Sequence, residues 1–262
     1  MTTTMTSTTA RPSGVVRDSR NVFVRELRPM LRDPFSLVFS LMQPLMFVAL
    51  FGPLLGGMSG LPIAEAFQWF VPGIVVMIAL FGTAMTGSNL LYEIQSGAHE
   101  RMLVAPVARS ALLVGRAVKE MVPLVIQAVV ISAVAAIWGF RPSLPGMVVG
   151  LGVLAVFGLG LGALSYALGI VSRERDWMFW GVQQGLLFPL MLLSGMLLPL
   201  ETGPQWMQVL ALFNPLTYMV EAERALFNGA FGDPAVWQGA LAAVLTAAVG
   251  LWVGIRAMRH SI

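Results

Sequence analysis

Long apolar runs alternate along the chain with short stretches that gather its charges. Six runs approach the roughly 20 apolar residues that a membrane-spanning helix needs: 35–55, 67–91, 120–140, 147–171, 177–200 and 236–255. Gln43-Pro44 and Pro53 interrupt the first, so breaks are expected there. Trp69 and Pro72 open the second. Residues 201–234 mix the apolar 210–213 with Glu201, Glu221, Glu223, Arg224 and Asp233, too short and polar a block to span. They are expected to form short interfacial or re-entrant exterior helices. Residues 1–20 are rich in Thr and Ser and lack an apolar core, which predicts a disordered tail; no apolar h-region marks them as a signal peptide. Over 21–33, Val22, Phe23, Leu27 and Met30 oppose Arg20, Arg25, Arg28 and Arg32 at helical spacing, which suits a helix lying in the membrane interface with a kink at Pro29. The expected fold is therefore an all-α integral membrane protein of about six transmembrane helices.

Composition agrees with that class. The 262 residues are 57% hydrophobic and 11% charged, against about 25% charged in soluble domains. There is no cysteine, which excludes disulfides and thiolate chemistry. The net charge of +3 points to no nucleic-acid partner, because in such a chain placement matters more than sum. Arg11, Arg17, Arg20, Arg25, Arg28 and Arg32 precede the first run. Arg101, Arg109, Arg116 and Lys119 follow the second, Arg173 and Arg175 follow the fourth, and Arg256 and Arg259 close the chain. These are fourteen of the sixteen basic residues; only Arg141 and Arg224 fall on the other side. The positive-inside rule then predicts a multi-pass protein with both termini cytoplasmic. Trp138, Trp177, Trp180, Trp206 and Trp237 sit near run ends, as in aromatic belts.

Candidate chemistry is sparse. The single lysine, Lys119, is not preceded by GxxxxGK[ST], so no P-loop is present. His99 and His260 lie in different segments and form no metal or triad pattern. Glu221, Glu223 and Arg224 have no histidine on their side and are read as non-catalytic. Polar groups inside the runs, such as Gln43, Thr83, Thr86, Asn89, Gln127, Tyr166, Gln183 and Gln184, suit interhelical hydrogen bonds. Gly158, Gly160 and Gly162, and the pair Gly181 and Gly185, are spaced for close helix packing.

With no energy source in the runs, the loop 93–119 carries the interest. Ser96 can cap a helix, Glu100 falls near its positive end, Met102, Leu103 and Val104 offer a small apolar patch, and Pro106 ends it. The physics alone leaves a projecting helix and a solvated connector equally open.

The segment Gly97-Ala-His-Glu-Arg-Met-Leu-Val-Ala-Pro106-Val-Ala-Arg109, followed by Gly115-Arg116, resembles the cytoplasmic loop of ABC-2 type transporter permeases, in particular the daunorubicin-resistance-like drug-exporter subgroup. Arg25-Glu26-Leu27 with Arg32-Asp33-Pro34, and Asn214-Pro-Leu-Thr-Tyr218, are similar to that subgroup too. The likeness runs from about residue 22 to the end; His99 departs from it, standing where the family often has Thr or another small residue. The resemblance implies a permease of the bacterial inner membrane. It would pair with a second permease chain, identical or similar, and bind a separate ATP-binding cassette ATPase that holds the ATP and Mg. It implies no cofactor in this chain, an interfacial helix with Arg25, Glu26, Arg28 and Arg32, and a coupling loop with Gly97, Glu100, Arg101, Met102, Leu103 and Pro106. A hydrophobic or amphipathic drug, antibiotic or lipid-like substrate would leave along a path near the dimer axis, with Asn89, Gln183, Gln184, Phe188, Ser194 and Gly195 as candidates. Two alternatives stand beside it: a permease for lipid-linked polysaccharide, whose interfacial helix usually carries tyrosine that this one lacks, and a non-transporting membrane enzyme or scaffold.

Overall fold

The structure is a computed structural model that describes residues 34–60, 62–96, 119 and 121–260. Among these the regular structure is helical: α1 Pro34–Ser59, α2 Ile63–Gln95, α3 Met121–Ala135, α4 Leu144–Val171, α5 Asp176–Leu192, α6 Gln205–Ala211, α7 Pro215–Phe227 and α8 Pro234–His260. Short 3-10 turns follow α3 at Ala136–Trp138 and precede α6 at Leu200–Thr202. Five of the helices, α1, α2, α3 with its 3-10 turn, α4 and α8, are long and apolar enough to cross a bilayer. The chain is an all-α membrane protein.

α2 is the central post. Phe67, Phe70, Ile74, Met77 and Leu80 are fully enclosed, with α1, α3, α4, α5 and α7 packed around it. α1 is peripheral, and Phe35, Phe39, Met42, Met46, Leu50 and Leu54 form an outward stripe along it. That exposure is cheap where lipid tails are as apolar as the side chains. The helix runs unbroken through Pro44 and Pro53, contrary to the expected interruptions. Membrane helices tolerate proline because neighbouring groups and small local adjustments satisfy the freed carbonyls. Phe47, Phe51 and Phe70 stack in series from α1 to α2.

Helices without a water-driven attraction must approach closely to gain dispersion energy. The α4–α8 contact shows how. A Cβ on Gly160 would collide with the backbone at Thr246 and Ala247, and one on Gly250 with the Gly160 carbonyl. The other expected packing pair, Gly181 and Gly185, faces open space in the described chain. Two polar groups of neighbouring helices behave differently. Gln127 Nε2 donates to Ser40 Oγ at 2.6 Å, joining α3 to α1, whereas Thr83 bonds within its own helix to Ala79 O at 2.7 Å.

The fifth run departs from expectation. α5 stops at Leu192, not near residue 200. Pro189 removes an amide donor close to the end, Ser194 Oγ donates to Met191 O at 2.7 Å, and Gly195 takes φ +73°, so the chain turns where a longer span was expected. At 17 residues, α5 is at the short limit for crossing a bilayer. The second run departs the other way. α2 continues through Gln95, taking Glu93–Gln95 from the expected loop, and Ser96 closes this helix by donating to Glu93 O at 3.1 Å.

Charge is sorted to two ends of the bundle. At one end, Gln68 near the start of α2 bonds both backbone groups of Arg141 in the α3–α4 connection, each at 3.1 Å; Arg224 joins the same end through Trp69. At the other, Gln95 Nε2 donates to Asp176 Oδ2 at 2.7 Å, tying the end of α2 to the start of α5. Arg173 and Arg175 lie on that side, lining a hollow with Ala257 of α8.

Candidate functional site

Three arrangements stand out, and each begins from a local feature of the sequence. The first is built on α7. Asn214 caps it, accepting from the Leu216 N–H at 3.0 Å while its own amide donates to Leu190 O at 2.7 Å. Thr217 donates to Leu193 O at 3.2 Å. The cap thus fastens the start of α7 to the end of α5. Two turns on, Arg224 reaches across the same end of the bundle. Its Nε donates to Trp69 O at 3.1 Å, one terminal nitrogen donates to Gly195 O at 2.7 Å, and the other to Glu221 Oε1 at 2.7 Å. The guanidinium also covers the Trp69 ring, 3.7 Å from its centroid. The positive φ of Gly195 is what turns its carbonyl to this donor. Burial lowers the affinity of Arg224 for its proton, and the Glu221 and Glu201 carboxylates oppose that; an arginine stays charged under such a pull.

Glu223 is the opposite case. It is 0% exposed, and neither carboxyl oxygen has a hydrogen-bond partner among the described residues. Gly150 of α4 makes room for it, since a Cβ there would collide with Oε2. Burial pushes the carboxyl up to about 8, because an apolar setting penalises the charged form.

The third arrangement is a cleft of about 500 Å³ bounded by α2, α4, α5 and α8. Leucine makes up half of its walls, including Leu80, Leu164, Leu168, Leu187 and Leu190. Ser165 and Gln183 bring polarity to it. The Ser165 hydroxyl donates to Ala84 O at 2.6 Å and accepts from the Gly87 N–H at 3.1 Å, so α4 and α2 are joined at its floor.

The sequence candidates divide across these places. Gln183 is buried and lines the cleft, whereas Gln184, one residue or about 100° further round the helix, is exposed. Phe188 is half exposed and meets Phe81 edge-on at 6.4 Å. Ser194 and Gly195 are buried in the turn held by Arg224. Asn89 is exposed near the Gln95 end of α2, apart from the turn. Gly97, Glu100, Arg101, Met102, Leu103 and Pro106, like Arg25, Glu26, Arg28 and Arg32 and the tail 1–20, lie outside the described residues. Sequence reasoning passed over the staple made by Arg224 and the isolation of Glu223. The available signal was the Glu-Ala-Glu-Arg run inside an otherwise apolar short helix.

Most of the chain is similar to known proteins. Residues 19–228 match the family described as ABC-2 type transporter. A daunorubicin resistance ABC transporter permease protein of Streptomyces coeruleorubidus is 30% identical over 201 residues, covering 76% of this chain and 71% of the relative. A probable multidrug ABC transporter permease of Escherichia coli (strain K12) is 25% identical over 164 residues, 62% of this chain and 44% of the relative. A probable doxorubicin resistance ABC transporter permease protein of Mycobacterium tuberculosis (strain CDC 1551 / Oshkosh) is 23% identical over 243 residues, 88% of this chain and 86% of the relative.

Proposed function

From the premise that this chain belongs to the ABC-2 type transporter family, we propose that it is the membrane-spanning subunit of a drug exporter driven by a separate ATPase chain. The observation that carries the reading is the family match over residues 19–228, on a multi-pass helical chain whose sequence holds no P-loop. Named drug-resistance permeases among its relatives support a hydrophobic or amphipathic substrate. In this reading the protein sits in a bacterial inner membrane with both termini cytoplasmic, paired with a second permease chain. ATP and Mg belong to the partner ATPase.

The mechanism assigns the loop around Glu100 to docking of the ATPase. One stem of that loop is the end of α2, where Gln95 is bonded to Asp176 at the start of α5. α5 in turn leads to the turn at Gly195, held by Arg224. A push on the loop therefore meets a helix that borders the cleft and ends at the opposite side of the bundle. The chain's own residues bind and release substrate; hydrolysis is the partner's.

The test is Glu100→Lys, with Gly232→Lys on the opposite side as control. A carboxylate near a helix start is favoured by only about 0.3–1 kcal/mol, so insertion survives reversal. Facing a matched partner, a reversed charge costs several kcal/mol. Loss of ATPase co-purification and of drug export is expected for Glu100→Lys alone. Unchanged co-purification and export would remove Glu100 from the docking surface. Saturable ATP hydrolysis by the purified chain without a partner would overturn the division of labour.

A further inference from the structure

Gln183 lies seven residues beyond the start of α5 at Asp176, roughly 10 Å of helix rise from the charged end of the bundle. It is 6% exposed and borders the cleft between α2, α4, α5 and α8. Its Nε2 donates to nothing among the described residues, and its Oε1 lies 3.4 Å from Ser165 Oγ. That contact is weak, because the single Ser165 proton is committed to Ala84 O at 2.6 Å. A buried amide so poorly paired is costly unless something else pairs it.

Depth and chemistry choose the occupant. The interfacial zone that holds the ester carbonyls of membrane lipids is about 5–8 Å deep on each side. That is less than the roughly 10 Å of helix rise between Gln183 and the charged end, so at that level an acyl chain offers methylene groups. Such a chain would fill the leucine walls and leave the amide unpaired. The cleft, at about 500 Å³, is the size of pockets that take drug-sized molecules, which are mainly apolar with a few placed polar groups. We infer that this cleft binds a compact, mostly apolar molecule with a carbonyl inside its apolar body, received by the Gln183 amide and enclosed by the leucines of α4 and α5. Its role in export rests on the transport reading; binding stands on the cleft alone.

Benzophenone, a ketone between two phenyl rings that photolabels C–H bonds, is the probe. The purified full-length chain in phosphatidylcholine vesicles, without any ATPase, is irradiated with increasing benzophenone and the label is mapped by peptide mass spectrometry. Saturable labelling at Leu164, Leu187 and Val249 is expected. Fluorenone should displace it better than fluorene, which lacks the carbonyl. Gln183→Leu should weaken labelling roughly two- to tenfold, the range of one net hydrogen bond. Val249→Trp fills the cleft from an exposed position and should abolish labelling without disturbing the fold. Label spread evenly over outward positions such as Leu241 and Val244 would overturn the site. So would equal or stronger labelling of Gln183→Leu, which is the signature of an acyl chain. Labelling of monomer but not dimer would show that a second copy covers the cleft, and would overturn it too. None of these failures touches ATPase docking, on which the transport reading stands or falls separately.

Discussion

Arg224 and Trp69 are joined twice: the guanidinium lies 3.7 Å from the centroid of the indole, and its Nε donates to the carbonyl of the same residue at 3.1 Å. Two different groups on one residue thus hold one side chain, and the Gly195 carbonyl holds it from a third segment. α2, α7 and the turn after α5 meet at a single cation.

Arg224→Ala is expected to cost about 2–4 kcal/mol, because two carbonyls lose hydrogen bonds to a charged group, each worth about 1.5–3 kcal/mol, and the stacking on Trp69 is lost. Arg224→Lys should recover little, because an ammonium cannot reproduce the planar fork and its stacking. Glu221→Ala should cost under about 1 kcal/mol, since its side chain is 53% exposed and water screens the pair. Thermal unfolding in detergent followed by tryptophan fluorescence reads all three. Equal losses for Arg224→Ala and Glu221→Ala would remove the three-way role.

Glu223 makes stability fall as pH rises. Its carboxyl titrates at about 8 in the fold against 4.5 for an ordinary carboxyl. Between those values the folded chain holds a proton that the unfolded chain has released, so the slope of stability against pH is negative. The contribution is fully present below 4.5 and lost as pH rises through 8. Glu223→Gln keeps the shape and removes the titration. It should match the parent at low pH, exceed it above pH 8 and flatten the profile of unfolding temperature. A parent profile already flat from pH 5 to 9 would show Glu223 ionised or paired.

The α4–α8 crossing is sensitive to single methyl groups. Gly250→Val brings its side chain against the Gly160 carbonyl and should cost at least the 1–3 kcal/mol typical of overpacking. Gly181→Ala and Gly185→Ala meet nothing within 4 Å and should leave the monomer as stable or slightly more so, as alanine favours helix over glycine by about 0.5–1 kcal/mol. Unfolding temperatures of the monomeric fraction decide between equal and unequal effects.

The chain has no cysteine, which makes orientation directly readable. Gly232→Cys is at an exposed connection with open space around it, on the side of Arg141 and Arg224. Glu174→Cys is in an exposed turn at the other end. An impermeant maleimide added to intact cells should label position 232 and spare 174. The reverse pattern would invert the protein in the membrane.

The fifth of the six expected spans stops short at Leu192, but the class and the gathering of charge between apolar runs were legible in the sequence alone. These depend on composition and spacing along one dimension, which lipid thickness and the positive-inside rule read directly. The Asn214 cap of α7 is a contact between residues two apart and so a locally carried signal, but in the sequence Asn214-Pro215 stood only as part of a family likeness. Proline and glycine were harder to read locally. Pro44 and Pro53 leave α1 whole, since neighbours in lipid satisfy what proline frees, while α5 ends early through the combined action of Pro189, Ser194 and Gly195. Packing settled that Gln183 faces a cleft and Gln184 does not, and that, among the described residues, Arg224 is saturated while its neighbour Glu223 has no hydrogen-bond partner, and Gly160 meets Gly250 while Gly181 meets nothing within 4 Å. Adjacent residues on a helix differ by about 100° in direction, and what lies in that direction is set by helices distant in sequence. Periodicity shows that a side chain has a face; packing decides what that face meets.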